Sequence, residues 1–301
     1  MPKQSDQATS NPHQSSSSIY ENIQSHYGQA ASKTSDPQYS TTVASAFGYT
    51  KEDLTHAPAD SNLGLSCGNP FAIANIREGE TIIDLGSGAG FDVFQAAKKV
   101  GQTGRVLGVD QNKDMLTRAN NIKLQMKADN VTFINSPITS IPLGPSTADC
   151  IISNCVINLV PEAEKPLVFR EMFRLLKPGG RVAISDILLK KDLPEELRKD
   201  VSLYAGCIAG ASRVEGYERY LRGAGFRDIL IILDQSDLNI YKTANEKGEA
   251  IGCCGPVSTG CCGSGQNESS TKEEVKIKDL DLNEWAASFK IYAVKPGSNP
   301  Q

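Results

Sequence analysis

The stretch TIIDLGSGAGFD, residues 81–92, decides the fold. It begins with an apolar run that ends at Leu85, which is typical of a buried parallel strand. Three glycines at alternate positions follow, and beyond Phe91 the apolar residues recur at helical spacing. The glycines permit a sharp turn and allow a ligand to approach the backbone closely. The stretch therefore predicts a strand, a glycine turn and a helix that together could hold a ligand.

Two acids stand where such a turn can use them. Asp84 comes just before the glycines, and Asp110 ends the next apolar run, residues 105–109. An acid at the end of the second strand of a doubly wound sheet reaches the ribose hydroxyls of a bound nucleoside. A glycine turn alone is often only a packing device, but this combination favours a cofactor site. The spaced glycines with Asp84 resemble the cofactor motif of class I methyltransferases. That resemblance implies S-adenosylmethionine, whose sulfonium and ammonium groups suit carboxylates.

The rest of the chain predicts an α/β fold of this class I methyltransferase type. Apolar runs alternate with amphipathic stretches as far as Asp186, so we expect a doubly wound, mainly parallel sheet. A helix at 214–224 and a strand at 226–233 follow. Residues 289–294 alternate in the manner of an edge strand, and we expect this last strand to pair antiparallel with 226–233.

Composition divides the 301 residues into three parts. The Ser- and Gln-rich residues 1–18 have little to bury and are predicted to be a disordered tail. Residues 19–190 are predicted to form a Rossmann-like, S-adenosylmethionine-binding domain with an N-terminal lid. Residues 191–301 are predicted to form a C-terminal, substrate-side region with a Cys-rich insertion at 240–285.

Charge and hydropathy exclude several classes of function. The formal net charge is -4 and there is no basic block, which argues against a nucleic-acid partner. No apolar run approaches the ~20 residues needed to span a membrane. The polar N-terminus has no apolar segment of the secretory type. We therefore interpret the eight cysteines as free thiols in a reducing compartment and expect a cytoplasmic protein.

The cysteines differ in their settings. Cys150 lies inside a predicted strand and is most simply a small buried hydrophobic residue. Cys67 precedes the first strand, Cys155 follows the fourth, and Cys207 lies in a small-residue run after the fifth. These three positions can converge at the edge where open α/β sheets bind ligands. Taken one at a time, each is more simply a packed cysteine.

Zinc is the competing interpretation of the thiols. The C-terminal cysteines form the adjacent pairs Cys253 with Cys254 and Cys261 with Cys262, not C-x-x-C motifs. Adjacent side chains point apart in an extended chain, so a single tetrahedral ion is awkward there. We expect these pairs to suit a larger, softer, thiophilic ion, or to be no more than a thiol-rich loop.

Five segments together resemble one family. NLGLSCGNP, DLGSGAGFD, SNCVINL, LKPGG and GCIAGA occur in this order, as in the arsenite S-adenosylmethionine methyltransferases, especially the fungal and algal members. The resemblance implies that Cys67, Cys155 and Cys207 bind trivalent arsenic. It also implies recycling by a thiol reductant, glutathione or thioredoxin. Family members often have one more cysteine upstream, whereas residues 39–49 of this chain offer only Ser40 and Ser45.

The expected cofactor site combines both lines of reasoning. The residues expected to line it are Tyr49, Asp84, Gly86, Ser87, Gly88, Gly90, Asp110, Gln111, Ile138 and Asn154. Tyr49 is included on the resemblance alone. Ile138 and Asn154 follow the third and fourth predicted strands, and we expect them on the adenine and methionine sides.

The implied reaction needs no general base. Arsenic bound by three thiolates keeps a lone pair and has no proton to lose, so the enzyme acts mainly by positioning and by excluding water. The three histidines lie outside any catalytic motif, which agrees with this chemistry. Two alternatives stay open. One is a small-molecule C- or O-methyltransferase with structural cysteines, and the other is a metalloid-binding protein without turnover.

Overall fold

The computed structural model describes residues 16–32, 36–198, 207–242 and 280–297. These residues form a seven-stranded sheet surrounded by helices. The strands are β1 Thr81–Leu85, β2 Arg105–Asp110, β3 Val131–Asn135, β4 Ala148–Asn154, β5 Leu176–Leu189, β6 Arg227–Leu233 and β7 Ala286–Val294. The helices are α1 Ser16–Ser32, α2 Pro37–Ala46, α3 Lys51–His56, α4 Phe71–Ala74, α5 Phe91–Val100, α6 Lys113–Met126, α7 Lys165–Leu175, α8 Glu195–Arg198 and α9 Val214–Ala224.

The strand order is β3-β2-β1-β4-β5-β7-β6. Strands β1 to β5 pair in parallel, and β7 runs antiparallel to both of its neighbours, β5 and β6. The predicted fold, a doubly wound and mainly parallel sheet with an antiparallel last strand, is confirmed. The order reverses between β1 and β4, and in open α/β sheets the ligand crevice lies at such a reversal.

Alternation along β1 gives the sheet a core on each face. Ile82 and Ile83 are adjacent and both fully buried, yet they belong to two different apolar clusters. Successive side chains of a strand point to opposite faces, so the sheet is covered on both sides. The helix α5, which follows the glycine turn, contributes Val93 to the same cluster as Ile82. The glycine turn is thereby held between two packed elements.

The position of β7 differs from the prediction. We expected residues 289–294 to be an edge strand, but β7 lies inside the sheet and β6 is the edge. Leu230, Ile232 and Leu233 of β6 are accordingly exposed, whereas most of β7 is buried. The alternation of apolar and polar side chains shows which face of a strand is exposed to solvent. Strands pair through their backbones, so this pattern could not show how many neighbouring strands β7 has.

One further difference concerns the N-terminal part. Helix α1 begins at Ser16, inside the predicted tail at 1–18, and residues 1–15 lie outside the described residues.

In the described part of the chain, no helix combines the length and apolar character that crossing a membrane requires.

Candidate active site

A pocket opens at the C-terminal ends of β1, β2 and β4, and one face of α1 covers it. Of the predicted cofactor residues, the wall contains Asp84, Gly86, Ser87, Gly88, Asp110, Gln111, Ile138 and Asn154. Tyr49 and Gly90 are not part of the wall as the described residues form it. Helix α1 contributes Tyr20 and Tyr27, which the sequence analysis did not single out.

Three carboxylates, two of them buried and that of Asp110 half-buried, make the pocket acidic. Asp84, Asp92 and Asp110 all lie on the wall. Burial, and then the charges of Asp92 and Asp110, raise the pKa of Asp84 well above its usual range. Burial raises the pKa of Asp92 to about 6 and also raises that of Asp110. Within the described residues, no lysine, arginine or histidine forms a salt bridge with any of the three. A cationic ligand would therefore relieve their repulsion.

The glycine turn is shaped to face a ligand. Gly86 has a φ of +70°, and a Cβ atom on it would lie 2.4 Å from Val156 Cγ2. The backbone N–H of Gly88 donates to Asp110 at 2.8 Å, which fixes the carboxylate beside the turn. The Ser87 hydroxyl is buried and has no hydrogen-bond partner among the described residues. A buried, unpartnered hydroxyl on a pocket wall indicates a polar ligand atom. Gly90 serves packing instead, because its Cβ would meet Phe94.

Tyr49 acts from behind the wall. Its hydroxyl donates to Asp92 Oδ1 at 2.6 Å. The side-chain amide of Asn154 donates to the Tyr49 oxygen at 2.9 Å, to Gly68 O at 2.9 Å and to Asp92 Oδ2 at 3.2 Å. Burial raises the pKa of Tyr49 well above its usual value, and the charge of Asp92 adds to this. The network fixes Asp92, which the sequence analysis missed, and ties it to the loop that carries Cys67.

The structure brings the three predicted cysteines together. Cys67 and Cys155 form a disulfide with a Cα–Cα distance of 5.7 Å, although 88 residues separate them. The Cys207 thiol donates to the backbone carbonyl of Cys155 at 2.9 Å. Cys155 lies on the pocket wall, and Cys67 and Cys207 are buried next to it. We expected free thiols, and the disulfide is the difference: a Cα separation of this size lets the two sulfurs bond.

Strained backbone marks the same place. Cys155 has a φ of +58° and Cys207 a φ of +63°, which side-chain-bearing residues rarely adopt. Such conformations cost about 1–3 kcal/mol and persist where the surrounding structure imposes them, often at functional sites. Both strained cysteines lie beside the acidic pocket.

Asp186 joins the cysteines and was missed as a site residue. One of its carboxylate oxygens and the sulfurs of Cys67 and Cys155 all lie within 4.8 Å of one another. The carboxylate accepts hydrogen bonds from the Tyr217 hydroxyl at 2.7 Å and the Asn158 amide at 2.8 Å. Burial raises its pKa to about 7, and the hydrogen bonds oppose that shift. The sequence predicts a fifth strand at 181–185 that Asp186 closes, but β5 continues to Leu189. An acid inside an apolar strand was the available signal.

Other predicted thiols have different outcomes. Cys150 is fully buried in β4, and burial raises the pKa of its thiol to about 12, which keeps it protonated and inert. The pairs Cys253 with Cys254 and Cys261 with Cys262 lie outside the described residues, as does most of the predicted insertion at 240–285.

Two curated proteins are similar to this chain over about three fifths of its length. The chain is 42% identical over 184 residues to an arsenite methyltransferase of Halobacterium salinarum, which covers 61% of this chain and 46% of that protein. It is 33% identical over 206 residues to the arsenite methyltransferase of Homo sapiens, covering 64% of this chain and 54% of that protein. The chain thus spans about half the length of these two curated relatives.

A solved structure and a family model complete the comparison. The crystal structure of an arsenic(III) S-adenosylmethionine methyltransferase from Chlamydomonas reinhardtii has a TM-score of 0.54 and 26% identity, covering 89% of this chain and 76% of that one. The model of a methyltransferase domain matches residues 76–248, which is more than half of the chain and includes the glycine turn, the acids at 84–110, Cys155 and Cys207. The chain belongs to this family of methyltransferase domains.

Proposed function

We propose that this protein transfers a methyl group from S-adenosylmethionine to trivalent arsenic. The observation that carries the proposal is one pocket whose wall joins an acidic, glycine-lined cradle to Cys155, with Cys67 and Cys207 beside it. The arsenite methyltransferases among its relatives support the choice of substrate. The likeness to the Chlamydomonas reinhardtii structure supports the choice of cofactor.

The residues present fit this cofactor. When bound, S-adenosylmethionine supplies a methyl group on a positively charged sulfur. Asp84 and the turn at Gly86 and Gly88 would hold its methionine end, and Asp110 its ribose hydroxyls. The unpartnered Ser87 hydroxyl would bond a polar atom of the ligand, and Ile138 would contact the adenine. The unbalanced charge of the three carboxylates favours a cation over a neutral or anionic cofactor.

The cysteines would bind the substrate after reduction. Opening the Cys67–Cys155 disulfide consumes two electrons and two protons and yields two thiols. Arsenite then exchanges its hydroxyl groups for the sulfurs of Cys67, Cys155 and Cys207, and each exchange releases a water molecule. We assign the electrons to a cytosolic thiol system, either glutathione or thioredoxin. The same reductants would return arsenic to the trivalent state after its oxidation by methyl transfer.

The protein would accelerate transfer by placement. Arsenic held by three sulfurs keeps a lone pair, so no residue has to remove a proton. The apolar side chains of Val156 and Leu159 lie on the wall next to Cys155 and exclude water from the reacting atoms. Fixing donor and acceptor in one pocket removes the entropic cost of bringing them together.

A direct assay tests the proposal. The full-length protein is incubated with arsenite, S-adenosylmethionine and a thiol, and methylated arsenic is measured by chromatography with mass detection. We expect product from the wild type and none from the Cys155→Ser or Cys207→Ser variants, with Cys150→Ala as the matched control that retains activity. Absence of product from the wild type would contradict the proposal.

The disulfide favours one second candidate, a small-molecule methyltransferase with structural cysteines. This candidate predicts that the Cys207→Ser variant keeps full activity on its own substrate. It also predicts that arsenite neither binds at Cys155 nor slows turnover. A protein that binds arsenite without consuming cofactor would instead support the metalloid-binding alternative.

A further inference from the structure

A buried lysine lies behind the loop that carries Cys207. Lys165 is fully buried, although lysine is among the residue types least often found in protein interiors. It is also the first residue of α7, where a positive charge opposes the helix dipole. Both conditions destabilise the fold, and burial lowers the pKa of the Lys165 ammonium while Glu162 raises it. A lysine in such a place calls for a reason other than packing.

The contacts of Lys165 supply that reason. Its Nζ atom donates to Gly210 O, to Ser212 Oγ at 2.7 Å and to Glu162 Oε2 at 2.8 Å. The three protons of an ammonium group therefore have three acceptors. Two of these acceptors belong to residues 207–212, which we term the Cys207 loop. The third, Glu162, also accepts from the Ser212 hydroxyl and from Tyr220.

The Cys207 loop is attached to the sheet at one end. Leu189 N donates to Ser212 O at 3.0 Å, which joins the end of the loop to the end of β5. Within the loop, Ala211 N donates to Ile208 O at 3.0 Å. Lys165 fixes the middle of the loop at Gly210, and the Cys207 thiol contacts Cys155 O at 2.9 Å. Among the described residues, Lys165 is thus the only cationic side chain that donates hydrogen bonds to the Cys207 loop.

We infer that Lys165 is a positioning residue, which holds the Cys207 loop against the end of β4 so that Cys207 can serve as the third sulfur on arsenic. The inference rests on the proposed function for the identity of the ligand. It adds a residue that touches neither arsenic nor cofactor. Without Lys165, the strained φ of +63° at Cys207 has less to hold it, and the thiol moves away from Cys155.

The first test measures the loop without arsenic. Lys165→Met removes the ammonium and keeps an apolar stem of similar length. Lys177→Met is the matched control, because Lys177 bonds Asp149 near the start of β4, at the opposite end of the strand from Cys155. Hydrogen exchange of the amides in residues 207–213 should quicken by about tenfold or more in Lys165→Met, the size expected when charged hydrogen bonds are lost. It should stay unchanged in Lys177→Met. Unchanged exchange in Lys165→Met would overturn the inference.

The second test measures arsenic binding in a double-mutant cycle. Reduced full-length protein carrying Cys253→Ser, Cys254→Ser, Cys261→Ser and Cys262→Ser is titrated with arsenite, and X-ray absorption counts the sulfurs on arsenic. We expect Lys165→Met to weaken binding by about 10- to 100-fold and to lower the sulfur count from three to two. Adding Lys165→Met to Cys207→Ser should cause no further loss, because both changes remove the same ligand. Losses that multiply would show that Lys165 acts elsewhere and would overturn the inference.

Two further results separate the inference from the proposed function. If the Cys207→Ser variant binds arsenite as tightly as the wild type does, the three-sulfur site is wrong. Arsenic would then not be the ligand of the Cys207 loop. The exchange experiment decides the part played by Lys165 independently of that result. If Lys165→Met does not fold, Ser212→Ala removes a single acceptor and keeps the ammonium. It should quicken exchange in the same loop by a smaller factor, and unchanged exchange there would count against the inference.

Discussion

The two sides of the pocket are built in different ways. The acidic side, which comprises the glycine turn with Asp84, Asp92 and Asp110, comes from one continuous stretch of chain, residues 84–110. The sulfur side, which comprises Cys67, Cys155, Cys207 and Asp186, comes from segments as far as 88 residues apart for the disulfide alone. The glycine turn, Asp84 and Asp110 therefore depend mainly on local backbone geometry, whereas Asp92 and the sulfur side depend on tertiary packing.

Charge separates the two sides as well. The three acids of the acidic side have no salt-bridge partner among the described residues, and a cationic ligand would balance their charge. On the sulfur side, burial raises the pKa of Asp186 to about 7, and a hydrogen bond from Tyr217 and the charge of Lys165 oppose that shift. The Asn158 amide also donates to this carboxylate. The charges on the acidic side therefore have no protein counter-ion among the described residues, whereas on the sulfur side the protein's own residues stabilise the carboxylate.

Loss of one sulfur should have the largest effect and should leave the other side intact. We expect Cys67→Ser to lower the rate of arsenic methylation by at least about 100-fold, since loss of outer partners of bound metals alone costs 10–100-fold. Affinity for S-adenosylmethionine, measured by calorimetry, should stay within about twofold of the wild type, well below the tenfold that 1.4 kcal/mol represents. A large loss of cofactor affinity would break the division into two independent sides.

The pH dependence of stability tests the unbalanced acids. The pKa of Asp92 is about 6 in the folded protein and near 3.8 in the unfolded chain, so the folded state keeps a proton that the unfolded state loses. The free energy of unfolding should therefore fall as pH rises from about 4 to about 6, by about 3 kcal/mol from this group. Asp92→Asn should flatten that part of the slope in urea unfolding.

Asp149 provides a control of opposite sign. Burial alone would raise the pKa of Asp149, but hydrogen bonds donated by Lys177 and by the Thr81 backbone lower this pKa below its usual value. Its contribution to stability is present above pH 4 and is lost as pH falls through its lowered pKa. Asp149→Asn should therefore destabilise the protein at pH 7 and leave the fall between pH 4 and 6 in place. An unchanged slope in Asp92→Asn would contradict the assigned pKa.

Asp110→Asn should mirror the cysteine variant. Asp110 is the residue that we propose binds the ribose hydroxyls. Losing its charge should weaken cofactor binding by about 10- to 100-fold, because hydrogen bonds to charged groups contribute about 1.5–3 kcal/mol. Arsenite binding to the reduced protein should not change. Calorimetry with each ligand on both variants gives a two-by-two comparison. If Asp110→Asn weakened arsenite binding as well, the two sides would be coupled more tightly than their separate construction implies.

Gly86→Ala should affect both sides at once. The new Cβ would meet Val156, the residue after Cys155, and Gly86 has a positive φ. We expect a loss of about 1–3 kcal/mol in unfolding free energy and weaker binding of cofactor and arsenite together. Gly48→Ala is the control, because Gly48 has a φ of +87° with nothing within 4 Å of a new Cβ. It should show backbone strain of about 1 kcal/mol and normal ligand binding.

Tyr20→Phe should have the smallest effect. The Tyr20 hydroxyl donates to Glu164 at 2.9 Å and fastens α1 over the pocket. A partly buried hydrogen bond contributes about 0.5–1.5 kcal/mol, and its loss should weaken the closure of α1 by that amount. Cofactor dissociation should therefore quicken by about two- to tenfold. Stopped-flow fluorescence measures the rate, and Tyr292→Phe, in β7 and outside the pocket wall, serves as the control. An unchanged rate would show that α1 does not limit release.

The same division explains what sequence could predict. The glycine turn and Asp110 were predictable because strand, turn and acid follow one another in a fixed pattern. Asp92 and Asp186 were missed because their partners are remote: Tyr49 lies 43 residues from Asp92, and Tyr217 lies 31 residues from Asp186. The convergence of the cysteines followed from strand ends, but their bonding did not. The interior place of β7 was hidden because backbone pairing leaves no mark on side-chain alternation.

The place of β7 has a consequence for biosynthesis. Strand β7 is the last of the described strands to leave the ribosome, yet it joins β6 to β5. Until Val294 has left the ribosome, the backbone N–H and C=O groups at one edge of β5 have no partner strand. The apolar side chains of β6 are not yet held in the sheet either. Nascent chains with such edges are prone to misassembly. We expect the growing polypeptide to engage chaperones late in translation, and the methyltransferase sheet to close only after synthesis has passed that strand.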